Sequence, residues 1–142
     1  MDSKIKDFLE KQRVGVLSVV LSDGASHSAT VHYSHQTNPI KIFIQTTNTT
    51  LKAQPFLKGE VGKGSFVTGF SEEEWLTLQM HGTVKKISDE KELEDVYKIH
   101  YAKHPDAEQY KGPKTVFLEF IPTWSRYTDF NTEPETIIEN KL

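Results

Sequence analysis

The segment Phe43-Ile44-Gln45-Thr46-Thr47-Asn48-Thr49-Thr50-Leu51-Lys52 ends a strand-like apolar run in four threonine hydroxyls, then opens onto a short helical pattern that carries one lysine. Hydroxyls, the free N–H groups and positive dipole end of a helix start, and one ammonium can together hold a phosphate dianion without a metal. The competing reading is a plain N-cap at Thr49 or Thr50 beside a solvated lysine, and spacing alone favours that reading.

Other chemistry is sparse. Among the six histidines, His100 and His104 stand four apart, as zinc ligands on one helix face would, but no His-Glu-x-x-His pattern surrounds them and no third ligand is evident. His27, His32 and His35 lie along one strand and its turn, and His81 reads as an exposed imidazole. No Gly-x-Ser-x-Gly marks a nucleophile, and no Gly-x-Gly-x-x-Gly follows a strand. Carboxylates cluster only in runs such as Glu72-Glu73-Glu74, which read as solvated faces. Neither a metal site nor a catalytic side chain is assigned, so any redox chemistry falls to a bound cofactor other than a nicotinamide on a Rossmann unit.

Composition narrows the field further. The 142 residues carry 17 Lys and Arg against 20 Asp and Glu, a net charge of −3 with no basic block, which argues against nucleic-acid binding. With no cysteine there is no disulfide framework, thiolate nucleophile or Cys-ligated zinc. The start Met1-Asp2-Ser3-Lys4-Ile5-Lys6 lacks the apolar core of a signal peptide, and no apolar run approaches a membrane span. The expectation is a single cytoplasmic domain over residues 1–142, with no membrane and no nucleic-acid partner.

The elements that must position the threonine corner follow from periodicity. Ile5, Phe8 and Leu9 predict an amphipathic helix over about residues 3–12, with Ser3 as its cap. Val14 to Leu21 is apolar on both alternating sets, as in a strand buried on two faces. Asp23-Gly24 predicts a hairpin returning through Ala29-Thr30-Val31-His32-Tyr33, and Asn38-Pro39 turns the chain into Ile40 to Gln45, giving a three-strand meander. A short helix from Leu51, with Pro55 as its obstacle, follows the corner. Ser65 to Phe70 and the alternating Leu76, Leu78, Met80, Gly82 and Val84 predict two more strands, with a bulge or close approach at Gly82. Ser88-Asp89 with Glu92 makes a capping box for a helix that His104-Pro105 ends, and Thr115 to Ile121 predicts a sixth strand that runs on as an extended tail to Leu142. The fold class is α+β: a six-stranded antiparallel split β-barrel with flanking helices.

This order, with Arg13-Val14-Gly15-Val16-Leu17, the Asp23-Gly24 hairpin, Val31-His32-Tyr33 and the hydroxyl-x-Lys corner, resembles the FMN-binding split-barrel proteins of the pyridoxamine 5′-phosphate oxidase-like superfamily, in the branch similar to general stress protein 26. The resemblance implies a homodimeric FMN-binding flavoprotein, an oxidoreductase acting on a small molecule, with the cofactor site at the subunit interface. It implies phosphate contacts from Thr46, Thr47, Thr50 and Lys52, an isoalloxazine ring along the backbone of Thr30, Val31, His32 and Tyr33, and further contacts from Gln79 and Trp124. Leu51 replaces the first residue of the family's basic pair, which removes one charge-assisted contact. Nothing after Trp124 matches the oxidase's Arg-Leu-His type substrate signature, so no substrate is implied. Two alternatives stay open: a reductase using a deazaflavin, with Lys58 and Lys63 widening a basic groove, and a non-enzymatic module that binds or senses flavin, haem or another ring compound.

Overall fold

The computed structural model describes residues 1–142. Helix α1 (Ser3–Lys11) buries Ile5, Phe8 and Leu9 as its periodicity requires, but its cap is Asp2, whose carboxylate accepts from the Lys4 N–H at 2.7 Å. Asp2 wins over Ser3 because the helix already includes Ser3. Eight strands follow: β1 (Val14–Val20), β2 (Ser26–His32), β3 (Ser34–Thr37), β4 (Ile40–Thr47), β5 (Gly62–Thr68), β6 (Leu76–Lys86), β7 (Thr115–Asp129) and β8 (Thr136–Lys141). All six strands expected from the sequence are present; β3 and β8 extend the sheet. The tail therefore does not run free but folds back on the second half of β7. Helix α2 (Glu90–Lys103) starts where Asp89 accepts from the Glu92 N–H at 3.0 Å and stops at His104.

The antiparallel sheet runs β2-β1-β5-β6-β7-β4-β3, with β8 added along β7. The expected meander of three strands is corrected by this order. β1 and β2 form the hairpin around Gly24, which takes φ +86°, yet β4 pairs with β7 and not with β2. Consequently β2 and β3, separated only by Tyr33, lie on opposite edges of the curled sheet. The barrel stays open between them, and Tyr33 carries the chain across the gap. Its ring is fully buried in edge contact with Phe66 at 5.1 Å, and its hydroxyl donates to the Leu9 carbonyl at 2.8 Å, tying α1 to the crossing.

One core of 19 buried residues fills the barrel, with Leu17, Ile42, Phe66, Leu78 and Phe120 among the fully enclosed side chains. A smaller cluster of Phe43, Ile87, Val96 and Phe117 seats α2 on the outside of β4 and β7. The pairing of β6 with β7 slips between His81 and Gly82, as the glycine foretold. A Cβ on Gly82 would stand 2.0 Å from the Ile121 carbonyl oxygen, so only glycine fits the approach.

Strand β1 departs from expectation. Leu17 and Val19 face the core, but Val14, Val16 and Val20 are 42, 37 and 51% exposed on the outer face of the chain. The fold of the single chain leaves these apolar side chains uncovered.

Candidate functional site

The gap between β2 and β4 is a cavity of about 550 Å³. One wall is Thr30, Val31 and His32 on β2, and the facing wall is Gln45, Thr46 and Thr47 at the end of β4. Lys52 enters from the turn after β4, Arg13 from the start of β1, and the end of α2 with the 3-10 turn Pro105–Tyr110 forms a lid over the remainder. Thus Thr30, Val31 and His32 on β2 and Thr46, Thr47 and Lys52 of the corner converge on one cavity, whereas Thr50 is outside its lining and meets it only through its bond to Thr46. Tyr33 does not line the cavity: its side chain is buried in the core, and its carbonyl is bonded to His104, which does line it.

The corner itself is built differently from the expectation. Leu51–Phe56 is a six-residue 3-10 turn rather than an α-helix, so its dipole is small, and neither Thr49 nor Thr50 caps it with a side chain. The hydroxyls instead bond one another: Thr46 to Thr50 at 2.8 Å and Thr47 to Thr49 at 2.8 Å, while Thr50 donates to the Thr47 carbonyl at 3.1 Å. With the Thr50 proton spent on that carbonyl, Thr46 is the donor in its pair, and a rotation of its O–H turns one proton towards an anion in the cavity. Lys52 is half-buried, has no carboxylate within ion-pair distance, and burial holds its ammonium below the usual lysine range. A desolvated cation without a counter-ion favours an anionic ligand.

Leu51 is 56% exposed and turns away from this cavity into a second groove lined by Leu21, Asp23, Pro55 and Lys58. The position that lacks its cation is therefore not at the cavity wall. Neither Lys58 nor Lys63 lines the cavity, so the wider basic groove considered for a deazaflavin is not formed by them.

Two histidines at the α2 end went unread as part of this site. His104 accepts at Nδ1 from Arg13 Nη2 at 3.2 Å and donates from Nε2 to the Tyr33 carbonyl at 2.7 Å. Because a guanidinium can only donate, Nδ1 carries no proton and the imidazole is neutral, in agreement with a pKa lowered chiefly by burial. His100 is 1% exposed, and its Nδ1 lies 2.7 Å from the buried Ser34 hydroxyl. That hydroxyl has no other acceptor, so it donates to Nδ1 and the proton of His100 sits on Nε2; the residue lines the cavity. Burial, with His104, His32 and Lys103 nearby, lowers the His100 pKa to about 4. The spacing of this pair was visible in the sequence, but what it serves is a neutral hydrogen-bonded joint between α2, β3 and the Tyr33 crossing. No group of three His, Cys, Asp or Glu side chains is placed to hold a metal.

Gln79 and Trp124 do not reach the cavity of their own chain. Gln79 lies on the outer sheet face, in a row that register defines as Thr30, Val16, Val67, Gln79 and Arg126 across β2, β1, β5, β6 and β7, and Trp124 lies in the next row, opposite His81. Trp124 stacks on His81 at 4.4 Å, and Arg126 is paired with Glu139 at 2.9 Å. This face carries the exposed valines of β1 and begins at the cavity's β2 wall.

An antiparallel barrel left open along one seam, with a hydroxyl and lysine corner on one lip of the seam, defines the split-barrel class. Residues 1–129 match the model of the pyridoxamine 5′-phosphate oxidase family, and the chain belongs to that family. No functionally curated protein matches it. Among solved structures, a protein from Jannaschia sp. CCS1 named general stress protein 26 shares the fold with a TM-score of 0.70 at 16% identity, over 96% of this chain and 94% of that one. A pyridoxamine 5′-phosphate oxidase-related, FMN-binding protein from Nostoc punctiforme is similar with a TM-score of 0.66 at 12% identity, over 92% and 86%. A haem-binding protein from Mycobacterium smegmatis gives 0.74 at 11% identity, over 94% of this chain but 55% of that one. No helix is long and apolar enough to cross a membrane.

Proposed function

We propose that the chain binds FMN in the split cavity and acts, as a homodimer, as a flavin-dependent oxidoreductase on a small molecule. The observation that carries this reading is the unpaired, half-buried Lys52 beside the Thr46 and Thr50 hydroxyls at the wall of a cavity of about 550 Å³. The phosphate fits that corner, where Lys52 supplies charge and Thr46 a turning hydroxyl proton; Thr47, whose hydroxyl is held by Thr49, shapes the rim. The ring lies along Thr30, Val31, His32 and the Tyr33 backbone. The flavin supplies the redox chemistry, and the chain's own residues bind, orient and shield it. The outer face with Val14, Val16 and Trp124 meets its two-fold mate, which covers its apolar surface and brings Gln79 and Trp124 to the other protomer's cavity.

The direct test is titration with FMN followed by flavin fluorescence and by the visible spectrum of the purified protein. Saturable binding weakened tenfold or more, about 1.4 kcal/mol, by Lys52→Ala supports the site, and a protein indifferent to tens of micromolar FMN overturns it. A second reading, a porphyrin in the same cavity, is supported by the likeness to the haem-binding protein and by His100 in the lining, which would free Nε2 for iron by carrying its proton on Nδ1 and donating it to Ser34. A Soret band on adding haem, lost in His100→Ala, distinguishes it.

A further inference from the structure

The cavity has a second cation whose task the cofactor does not explain. Arg13 follows α1 and opens β1, so it approaches the cavity from the His32 end of β2. Lys52 comes from the opposite side, since its neighbour Leu51 packs towards the β1–β2 hairpin at Leu21 and Asp23. The two cations thus bracket the β2 wall. Arg13 is held in place by two neutral acceptors: Nη1 donates to the Lys103 carbonyl at 3.3 Å and Nη2 to His104 Nδ1 at 3.2 Å. Those bonds use two of the five N–H groups of a guanidinium and fix its plane. No carboxylate lies within ion-pair distance of it. Its immediate surroundings add positive or neutral groups: His32 and His104 with ring centroids 5.3 Å apart, and the Lys103 ammonium, which lies 4.3 Å over the Tyr33 ring.

We propose that Arg13 binds the carboxylate of the substrate, a small organic acid that lies in the split cavity beside the flavin. The inference rests on the flavin reading, which places the cofactor's phosphate at Lys52 and leaves the Arg13 end for a second molecule. A carboxylate fits better than a phosphate dianion because Arg13 is the cation at this end of the lining, the Lys103 ammonium lying outside it and donating to the Leu9 carbonyl at 3.1 Å, and Asp106 on the same lining opposes a second negative charge. His104 is a positioning residue in this arrangement. Its proton on Nε2 is pinned by the Tyr33 carbonyl, so Nδ1 stays an acceptor and the guanidinium keeps its orientation.

The test uses FMN-loaded protein, in which the phosphate corner is filled, and benzoate as the probe, with benzamide as its uncharged isostere. Calorimetry and the perturbation of the flavin spectrum report binding. The expected result is one benzoate site per chain that benzamide does not occupy. It weakens at least tenfold in Arg13→Gln, which keeps N–H donors without charge, and by a smaller factor in Arg13→Lys, which keeps the charge but not the planar fork. FMN affinity in Arg13→Gln stays within about threefold of the parent. Equal binding of benzamide, no saturable benzoate signal, or an undiminished signal in Arg13→Gln each overturns the assignment. Arg13→Gln weakening FMN as much as Lys52→Ala also overturns it, by moving Arg13 to the cofactor phosphate. If FMN itself fails to bind, the cofactor reading falls separately, and the same benzoate titration on unloaded protein still reads Arg13.

Discussion

His100 makes the stability of this fold depend on pH in a way that one substitution isolates. Its folded pKa is lowered from 6.5 to about 4, mainly by burial. The unfolded chain therefore binds more protons than the folded one between those values, and stability falls as pH drops through the unfolded pKa towards the folded one. Above pH 7 the contribution is essentially complete. Between pH 7 and pH 5 the linkage relation removes about 2 kcal/mol, and by pH 4 about 3 kcal/mol, after which the loss levels off. The matched variant is His100→Asn, which does not titrate and places an amide oxygen near the position of Nδ1 to accept from Ser34. Urea unfolding of both proteins from pH 7 to pH 5 cancels the acidic groups and other histidines they share. The parent is expected to lose about 2 kcal/mol more than the variant across that interval. Slopes that agree within about 0.5 kcal/mol would refute the reasoning, because they would show an imidazole that accepts its proton as readily folded as unfolded.

Three more outcomes follow from the geometry. Lys52→Ala is expected to weaken FMN by about tenfold to a hundredfold with little change in melting temperature, read by fluorescence quenching and a thermal scan, because the ammonium has no protein partner to orphan. Gly82→Ala should destabilise by about 3 kcal/mol or more in urea, since the new Cβ meets backbone at Ile121 that no rotamer can clear. Val16→Asp is expected to give a monomer by light scattering and weaker FMN binding with the fold intact by circular dichroism, because Val16 is 37% exposed in the protomer and sits in the row that leads from Thr30 to Gln79.

How far the sequence carried depended on whether a feature was local. The N-cap at Asp89, the stop at His104-Pro105, the Asp23-Gly24 hairpin and the close approach at Gly82 each depend on a few neighbouring residues, and each is found in place, though Glu92 does not return the second bond of a capping box. Strand β3, four residues of mixed polarity, and β8, with its polar alternation, carry too little apolar pattern to be read, and they exist because β4 and β7 offer free edges. The crossing at Tyr33 was illegible for another reason. Pairing of β4 with β7 joins residues such as Thr46 and Val116, and no local signal announces a partner seventy residues away. The same holds for the site: the threonines and Lys52 were visible as a group, whereas Arg13, His100 and His104 meet only through the tertiary fold. The spacing of the two histidines suggested metal, and their geometry is that of neutral imidazoles, His104 bracing Arg13 and His100 joined to Ser34.

The crossing at Tyr33 also orders events in time. When the chain emerges from its N-terminus, β1 and β2 zip at once, but β4 must wait with one edge unclaimed until β7 has been made. The wall bearing Thr46 is therefore fixed only after the last third of the chain exists, and α2, which roofs the gap, seats on the same late pairing through Phe117. Such distant pairing is intrinsically slow. The seam is therefore among the late parts of the barrel to be completed, and a nascent chain that stops short of β7 lacks the pairing that sets the Thr46 wall of the cavity.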